Sequence, residues 1–211
     1  MELLLIRHGL PIRIEDAGEP ADPPLADEGW EQARRLADWL SGDRIDAVYA
    51  SPLRRAKETA EPLAMAHSLP VVVDEELAEF DREAHFYIPF EELRELKDER
   101  WYRLISGDWE YSEVDPQTFR EVVVGAMERL VDAHPSCRVA VVCHGGVINA
   151  YASHVLGIDE PLFFEPHYTS VSRVMAARSG ERSIASLNET GHLRDLPVSP
   201  ASGYEPPEDA G

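Results

Sequence analysis

The chain has 211 residues, 44% of them apolar, which is enough to core one domain. Its formal net charge is −20, from 20 basic and 40 acidic side chains. A surface that acidic repels nucleic acid and anionic lipid, so any site for a phosphorylated ligand has to be a local basic pocket. The only two cysteines, Cys137 and Cys143, are too few for a disulfide framework and lie outside CxxC spacing. The start shows no secretory leader, and no apolar run reaches the roughly 18 residues that span a bilayer. The simplest expectation is a soluble cytoplasmic protein that binds neither nucleic acid nor membrane.

The first predicted strand is Leu3-Leu4-Leu5-Ile6, and it breaks directly into Arg7-His8-Gly9. An apolar run of this length reads as a parallel strand buried on both faces. Groups just past its carboxyl end sit where open α/β sheets bind ligands. A polar, proline-rich loop follows from Leu10 to Pro24. Asp27 is placed to cap a helix in which Trp30, Ala33, Leu36, Ala37 and Leu40 recur at helical spacing, ending near Gly42. Ala47–Ala50 predicts a second strand. Ser51-Pro52-Leu53-Arg54-Arg55-Ala56 then opens a helix to about His67, with proline in its first turn. Pro70–Val73 predicts a third strand.

Residues 79–115 change texture, with many acids and, between Phe86 and Tyr111, seven aromatics: Phe86, Tyr87, Phe90, Trp101, Tyr102, Trp109 and Tyr111. One helix is predicted from about Phe90 to Leu104, and the segment reads as a small cap inserted over the sheet. A helix from Pro116 to His134 leads to Arg138–Cys143, the most strand-like run in the chain. That run ends in His144-Gly145-Gly146, and an amphipathic helix continues to about Leu156. Val171–Ala177 and Ile184–Leu187 predict two final strands. The proline-rich tail, 197–211, is expected to be disordered. Strands alternating with helices predict a single α/β domain over 1–196, a three-layer α/β/α sandwich around a mostly parallel sheet.

Two strands thus end in His-Gly, and a third feeds Arg54 and Arg55 into a helix start, all on one edge of a parallel sheet. Phosphoryl transfer needs such convergence, because it spreads negative charge over three equatorial oxygens that positioned cations and backbone N–H groups can stabilise. Gly145 and Gly146 begin a helix, whose N-terminus adds donors and a favourable dipole. No H-x-H, H-E-x-x-H or G-x-x-x-x-G-K-[ST] pattern is present, which argues against a metallophosphatase or a P-loop enzyme.

Four segments together resemble the histidine phosphatase superfamily, the phosphoglycerate-mutase-like fold. They are Arg7-His8-Gly9, Leu-x-x-x-Gly-x-x-Gln-Ala at 25–33, Ser-x-Leu-x-Arg-Ala at 51–56 and His-Gly-Gly at 144–146. The resemblance implies His8 as the nucleophile that becomes phosphohistidine. It implies Arg7 and Arg55 as phosphate-binding arginines, His144 as the second histidine, with Gly145 beside it, and Glu79 of Leu77-Ala78-Glu79 as general acid. It implies a small phosphorylated substrate, and no metal or other cofactor. Arg54 falls on a variable position and reads as a solvated helix-start arginine.

Two family segments depart. A Gly-x-x-Glu-Gly stretch is replaced by Glu79-Phe80-Asp81-Arg82-Glu83-Ala84-His85, which leaves Asp81 or Glu83 as alternatives to Glu79. A Gly-Glu-Ser stretch is replaced by Asp115-Pro116-Gln117-Thr118. The cap aromatics could line a wall over the phosphate or pack the cap onto the domain, and they could equally serve a homodimer. Arg82 and Arg94 could touch substrate or stand in solvent. The preferred reading is metal-independent phosphomonoester hydrolysis. A phosphoglycerate mutase and an inactive phospho-ligand binding protein are the alternatives.

Overall fold

The computed structural model describes residues 1–105, 114–160 and 162–196. Trp109, Tyr111 and the tail from 197 lie outside them. The described residues form six strands and six α-helices in the order β1 (Glu2–Arg7), α1 (Asp27–Leu40), β2 (Ala47–Ala50), α2 (Arg54–Ala66), β3 (Val71–Val73), α3 (Phe90–Glu95), α4 (Glu99–Ile105), α5 (Pro116–Ala133), β4 (Arg138–Cys143), α6 (Gly145–Leu156), β5 (Val171–Ala176) and β6 (Arg182–Glu189). A single sheet runs β3-β2-β4-β1-β5-β6. Its first four strands are parallel, and β5 and β6 run antiparallel at the far edge.

The strand runs are apolar throughout because both faces are covered. Leu3, Leu5, Val139, Val141 and Cys143 pack with Val123, Met127 and Tyr151 of α5 and α6. Leu4, Ile6, Val48, Ala140 and Val142 pack with Leu36, Leu40, Ala60 and Leu63 of α1 and α2. Period-two alternation sends successive side chains of β1 and β4 into these two cores. The register sets the site. Arg7 lies opposite Cys143, and Ala50 lies opposite both Val142 and Val73, so the carboxyl ends of β1, β2, β3 and β4 finish level.

Local signals were redirected in three places. Asp27 is the first helical residue of α1; the N-cap is Ala26, with no side-chain cap, and its N–H is taken by the Leu10 carbonyl at 2.9 Å. Pro52 precedes the N-cap Leu53 rather than sitting in the first turn of α2. The single helix expected from Phe90 to Leu104 is two. Lys97 turns through φ +52°, and the Asp98 carboxylate accepts from the Arg100 N–H at 2.9 Å, capping α4 as a new start.

The first loop is anchored by α1. Gly29 of α1 lies against the loop backbone so closely that a Cβ there would fall 2.1 Å from the Leu10 carbonyl oxygen, while Gln32 Oε1 accepts from the Leu10 N–H at 2.9 Å. The spacing Gly-x-x-Gln therefore places both residues on the face that holds the turn after His8. In an ordinary helix interior, glycine to alanine gains up to about 1 kcal/mol. Here the sign inverts: Gly29→Ala is expected to cost about 2 kcal/mol or more through the backbone clash. The corresponding fall in Tm, about 4–8 °C for a domain of this size, is checked by thermal and urea unfolding.

Candidate active site

Arg7, His8, Arg55, Glu79 and His144 are brought together at the carboxyl edge of the sheet, all 5% exposed or less. Arg7 and His8 follow from the end of β1, Arg55 from the first turn of α2, and His144 from the N-cap of α6. Glu79 comes from a 3-10 turn after β3. The His8 and His144 rings stand 5.1 Å apart between centroids.

His8 Nδ1–H donates to the Gly9 carbonyl at 2.8 Å, which fixes the tautomer and leaves Nε2 with its lone pair. Burial, then Arg55 and Arg7, hold this imidazole well below the usual histidine range, so it is neutral near pH 7. His144 is depressed in the same way by burial, Arg55 and His8. Its Nε2 is paired with the Ser51 hydroxyl at 2.7 Å, while its Nδ1 is buried without a hydrogen-bond partner.

The two guanidinium groups are held by different means. Arg7 donates from Nη1 to Glu91 Oε1 at 2.7 Å and to the Pro166 carbonyl at 2.6 Å, and it lies 4.0 Å over the Tyr168 ring. Burial works against its charge, but Glu91, with Tyr168 and Tyr87, outweighs burial and keeps it cationic. Arg55 sits 4.7 Å over the Tyr87 ring and 3.8 Å from Asp81 Oδ1. Arg7 Nε, Arg55 Nε, Asp81 Oδ1 and His144 Nδ1 are all buried without hydrogen-bond partners. Buried polar atoms are rarely left unpaired, so the free donors of the two arginines and the free His144 nitrogen point to a place built for a polar ligand.

Glu79 is 5% exposed and takes N–H groups from Gly146 on Oε2 at 2.9 Å and from Phe80 on Oε1 at 3.2 Å. Burial, then the neighbouring Asp81, push its carboxyl up to about 8, against those two donors and Arg55. Gly146 is required for this packing, because a Cβ there would stand 2.3 Å from Glu79 Oε1 and 2.8 Å from the Phe80 ring. Asp81 is also raised by burial, opposed by Arg55. Glu83 is exposed and paired with Arg82, which is itself exposed. Arg54 is exposed and bound to Glu58 at 2.7 Å, as its solvated reading expected. Arg94 reaches Glu165.

Several residues at the site had no assigned role in the sequence. Ser51 and Thr59 bracket Arg55 at four-residue steps, and Thr59 Oγ1 takes the Gly9 N–H at 2.9 Å. Helical spacing from Arg55 was the available signal. Glu91 and Tyr168 were not legible as site residues, since tertiary packing alone brings them to Arg7, whereas Asn149 stands one helical turn after Gly145 in α6. Among the described residues, no group of three or more His, Cys, Asp and Glu side chains is placed to hold a metal ion, and no helix is long and apolar enough to cross a membrane.

The sequence profile of the histidine phosphatase superfamily (branch 1) matches residues 3–190. The chain is 28% identical to phosphoserine phosphatase 1 of Hydrogenobacter thermophilus over 209 residues, covering 94% of this chain and 97% of that protein. It is 30% identical over 199 residues to a bifunctional protein of Mycobacterium tuberculosis, covering 90% of this chain but only 54% of that longer protein. A solved structure of a phosphoserine phosphatase mutant from Entamoeba histolytica, in complex with phosphoserine, superposes with a TM-score of 0.72 at 24% identity, over 91% of this chain and 98% of that one. With its Arg-His-Gly strand end, its His-Gly-Gly helix start and this match over nearly its whole length, the chain belongs to the histidine phosphatase superfamily.

Proposed function

We propose that this chain hydrolyses phosphomonoesters through a phosphohistidine formed on His8. One observation carries the reading. A neutral imidazole with Nε2 free is held between two buried arginines, opposite a buried carboxyl raised far enough to keep its proton near neutral pH. Nε2 attacks phosphorus in line. Arg7, Arg55, His144 and the amide groups at the start of α6, including Gly145, take the charge on the equatorial oxygens. Glu79 gives its proton to the leaving alkoxide as the P–O bond breaks, so the first product leaves as a neutral alcohol. The ionised Glu79 then takes a proton from water as water attacks the phosphohistidine. Inorganic phosphate departs, and both His8 and the Glu79 proton are restored. The guanidinium groups supply the positive charge, so the chemistry asks for no metal ion.

Glu79 is favoured over its two rivals. Glu83 faces solvent, and Asp81 stands 3.8 Å from Arg55, which opposes the rise that burial gives its carboxyl. Residues 1–196 are read as one catalytic unit, with 79–115 as a cap over the site. Loop backbone supports that reading: Ile14 and Tyr87 exchange two hydrogen bonds, at 2.9 and 2.7 Å, and Ala17 bonds His85 at 2.8 Å. An inactive binding protein would have no use for a free, neutral nucleophile. The acidic surface argues against nucleic acid as a partner, and two free cysteines suit the cytoplasm.

With p-nitrophenyl phosphate in excess EDTA, the wild-type chain is expected to turn over, and His8→Ala to lose about 1,000-fold or more. Turnover that needs added metal, or that survives in His8→Ala, refutes the mechanism. In kcat/KM, Glu79→Gln is expected to lose about 100-fold more on an alkyl phosphate than on the aryl ester, whose leaving group needs no proton. Equal losses would remove Glu79 from the acid role.

The raised carboxyl also predicts a stability slope. The native state keeps a proton that the unfolded chain releases near 4.5, so the stability this group contributes is full below that pH and is lost as pH rises to about 8. Urea unfolding at pH 5 and pH 8 is expected to show a larger fall for the wild type than for Glu79→Gln.

A further inference from the structure

Beside the proposed phosphate site lies a cavity of about 210 Å³, and Arg7 and Gly145 belong to its lining. Trp101, Leu162, Phe163 and Phe164 supply most of the remaining wall, and Glu165 is the one carboxylate among the described lining residues. A leaving group attached to a phosphate between Arg7 and Gly145 would enter this space.

The polar groups along the wall are already committed. Asn149 donates both amide hydrogens, to the Gly145 and Phe164 carbonyls at 2.9 Å, and its oxygen accepts from the Phe163 and Phe164 N–H groups at 2.9 and 3.2 Å. It has no capacity left for a ligand and acts as the clamp that holds the apolar segment in place. The Pro166 carbonyl is taken by Arg7. Glu165 is paired with Arg94, and Glu91 stands 2.7 Å from Arg7. Among the described lining residues Arg7 is the only cation, and the phosphate needs it. A substrate carrying a second anionic group would therefore meet the Glu165 carboxylate and, among the described lining residues, no uncommitted cation. Aromatic and aliphatic surface, by contrast, is offered on several sides.

We propose that this cavity receives the alcohol portion of the substrate and selects an aromatic or aliphatic alcohol that carries no anionic group, disfavouring carboxylated phosphoesters such as phosphoserine and phosphoglycerate. The inference rests on the phosphohydrolase reading above and adds the substrate class. Glu165 is its specificity-determining residue, acting by repulsion and by occupying Arg94.

The test compares 1-naphthyl phosphate, O-phosphoserine and 3-phosphoglycerate in kcat/KM with the wild-type chain. In parallel, calorimetry measures the Kd of each with His8→Ala, which cannot form the phosphoenzyme. The naphthyl ester is expected to lead both carboxylated esters by about tenfold or more, in both measurements. Glu165→Gln, which removes one carboxylate and releases Arg94, is expected to narrow that ratio by about fivefold. Carboxylated esters used or bound as well as the naphthyl ester would overturn the proposal, and an unchanged ratio in Glu165→Gln would overturn the role of Glu165. Absence of turnover on all three esters would defeat the hydrolase reading, whereas the order of the three Kd values would still decide what the cavity selects.

Discussion

The site is organised around two guanidinium groups held out of water at one edge of the sheet, Arg7 at 3% and Arg55 at 1% exposure. Taking such charges from water costs several kcal/mol each unless they are paired. The chain offsets this unevenly. Arg7 has a carboxylate, a carbonyl and an aromatic face, while Arg55 has a distant carboxylate and an aromatic face. What remains unmet is a standing demand for an anion, in a protein whose overall charge is −20. The same two cations decide the state of the nucleophile. With burial they hold His8 neutral, and a neutral imidazole is the form that can attack.

Holding those charges steady takes a shell of backbone contacts around the Arg7-His8-Gly9 turn. The Gly9 N–H goes to Thr59, the Leu10 N–H to Gln32, and Gly29 gives the loop room to lie on α1. On the other side, the Thr169 N–H reaches the Arg7 and His8 carbonyls at 3.0 and 3.3 Å, and its hydroxyl pairs with His192. Thr169 does this at φ +54°, a region that a β-branched residue rarely adopts. Surrounding hydrogen bonds are what keep such a conformation in place. Helix α1, helix α2 and the loop before β5 thus converge on three residues of chain.

This division explains what could be read in advance. The strand ends were legible because an unbroken apolar run that stops at Arg7-His8 or His144 marks both the buried strand and its mouth. The pair Arg54-Arg55, Gly145 and the parallel core of the sheet followed from the same pattern, and the family resemblance singled out Arg55. Glu91, Tyr168 and Glu165 were not legible, because each reaches the site from a segment whose local sequence resembles any polar loop or short helix. Helix starts were also misplaced where tertiary partners intervened. Asp27 has the right chemistry for a cap, but the Leu10 carbonyl already holds the N–H of Ala26, the cap position, and Lys97-Asp98 interrupts what periodicity alone had joined.

The departure after Glu79 is where sequence and structure together say most. Two N–H groups, from Gly146 and Phe80, favour an ionised Glu79, as does Arg55; burial and Asp81 favour a protonated one, and they win. Asp81 lies 3.8 Å from Arg55, so a negative charge there is favoured by the arginine at the same time as it disfavours a second negative charge on Glu79. Burial raises both carboxyls; at Asp81 the next influence is Arg55, which opposes the rise, whereas at Glu79 it is Asp81, which adds to it. An arriving phosphate dianion adds negative charge beside both and draws on Arg55, which further favours a proton on Glu79. Asp81 in place of a glycine-rich stretch is therefore compatible with acid catalysis, and it supplies part of the repulsion that keeps a proton on Glu79 until the alkoxide leaves.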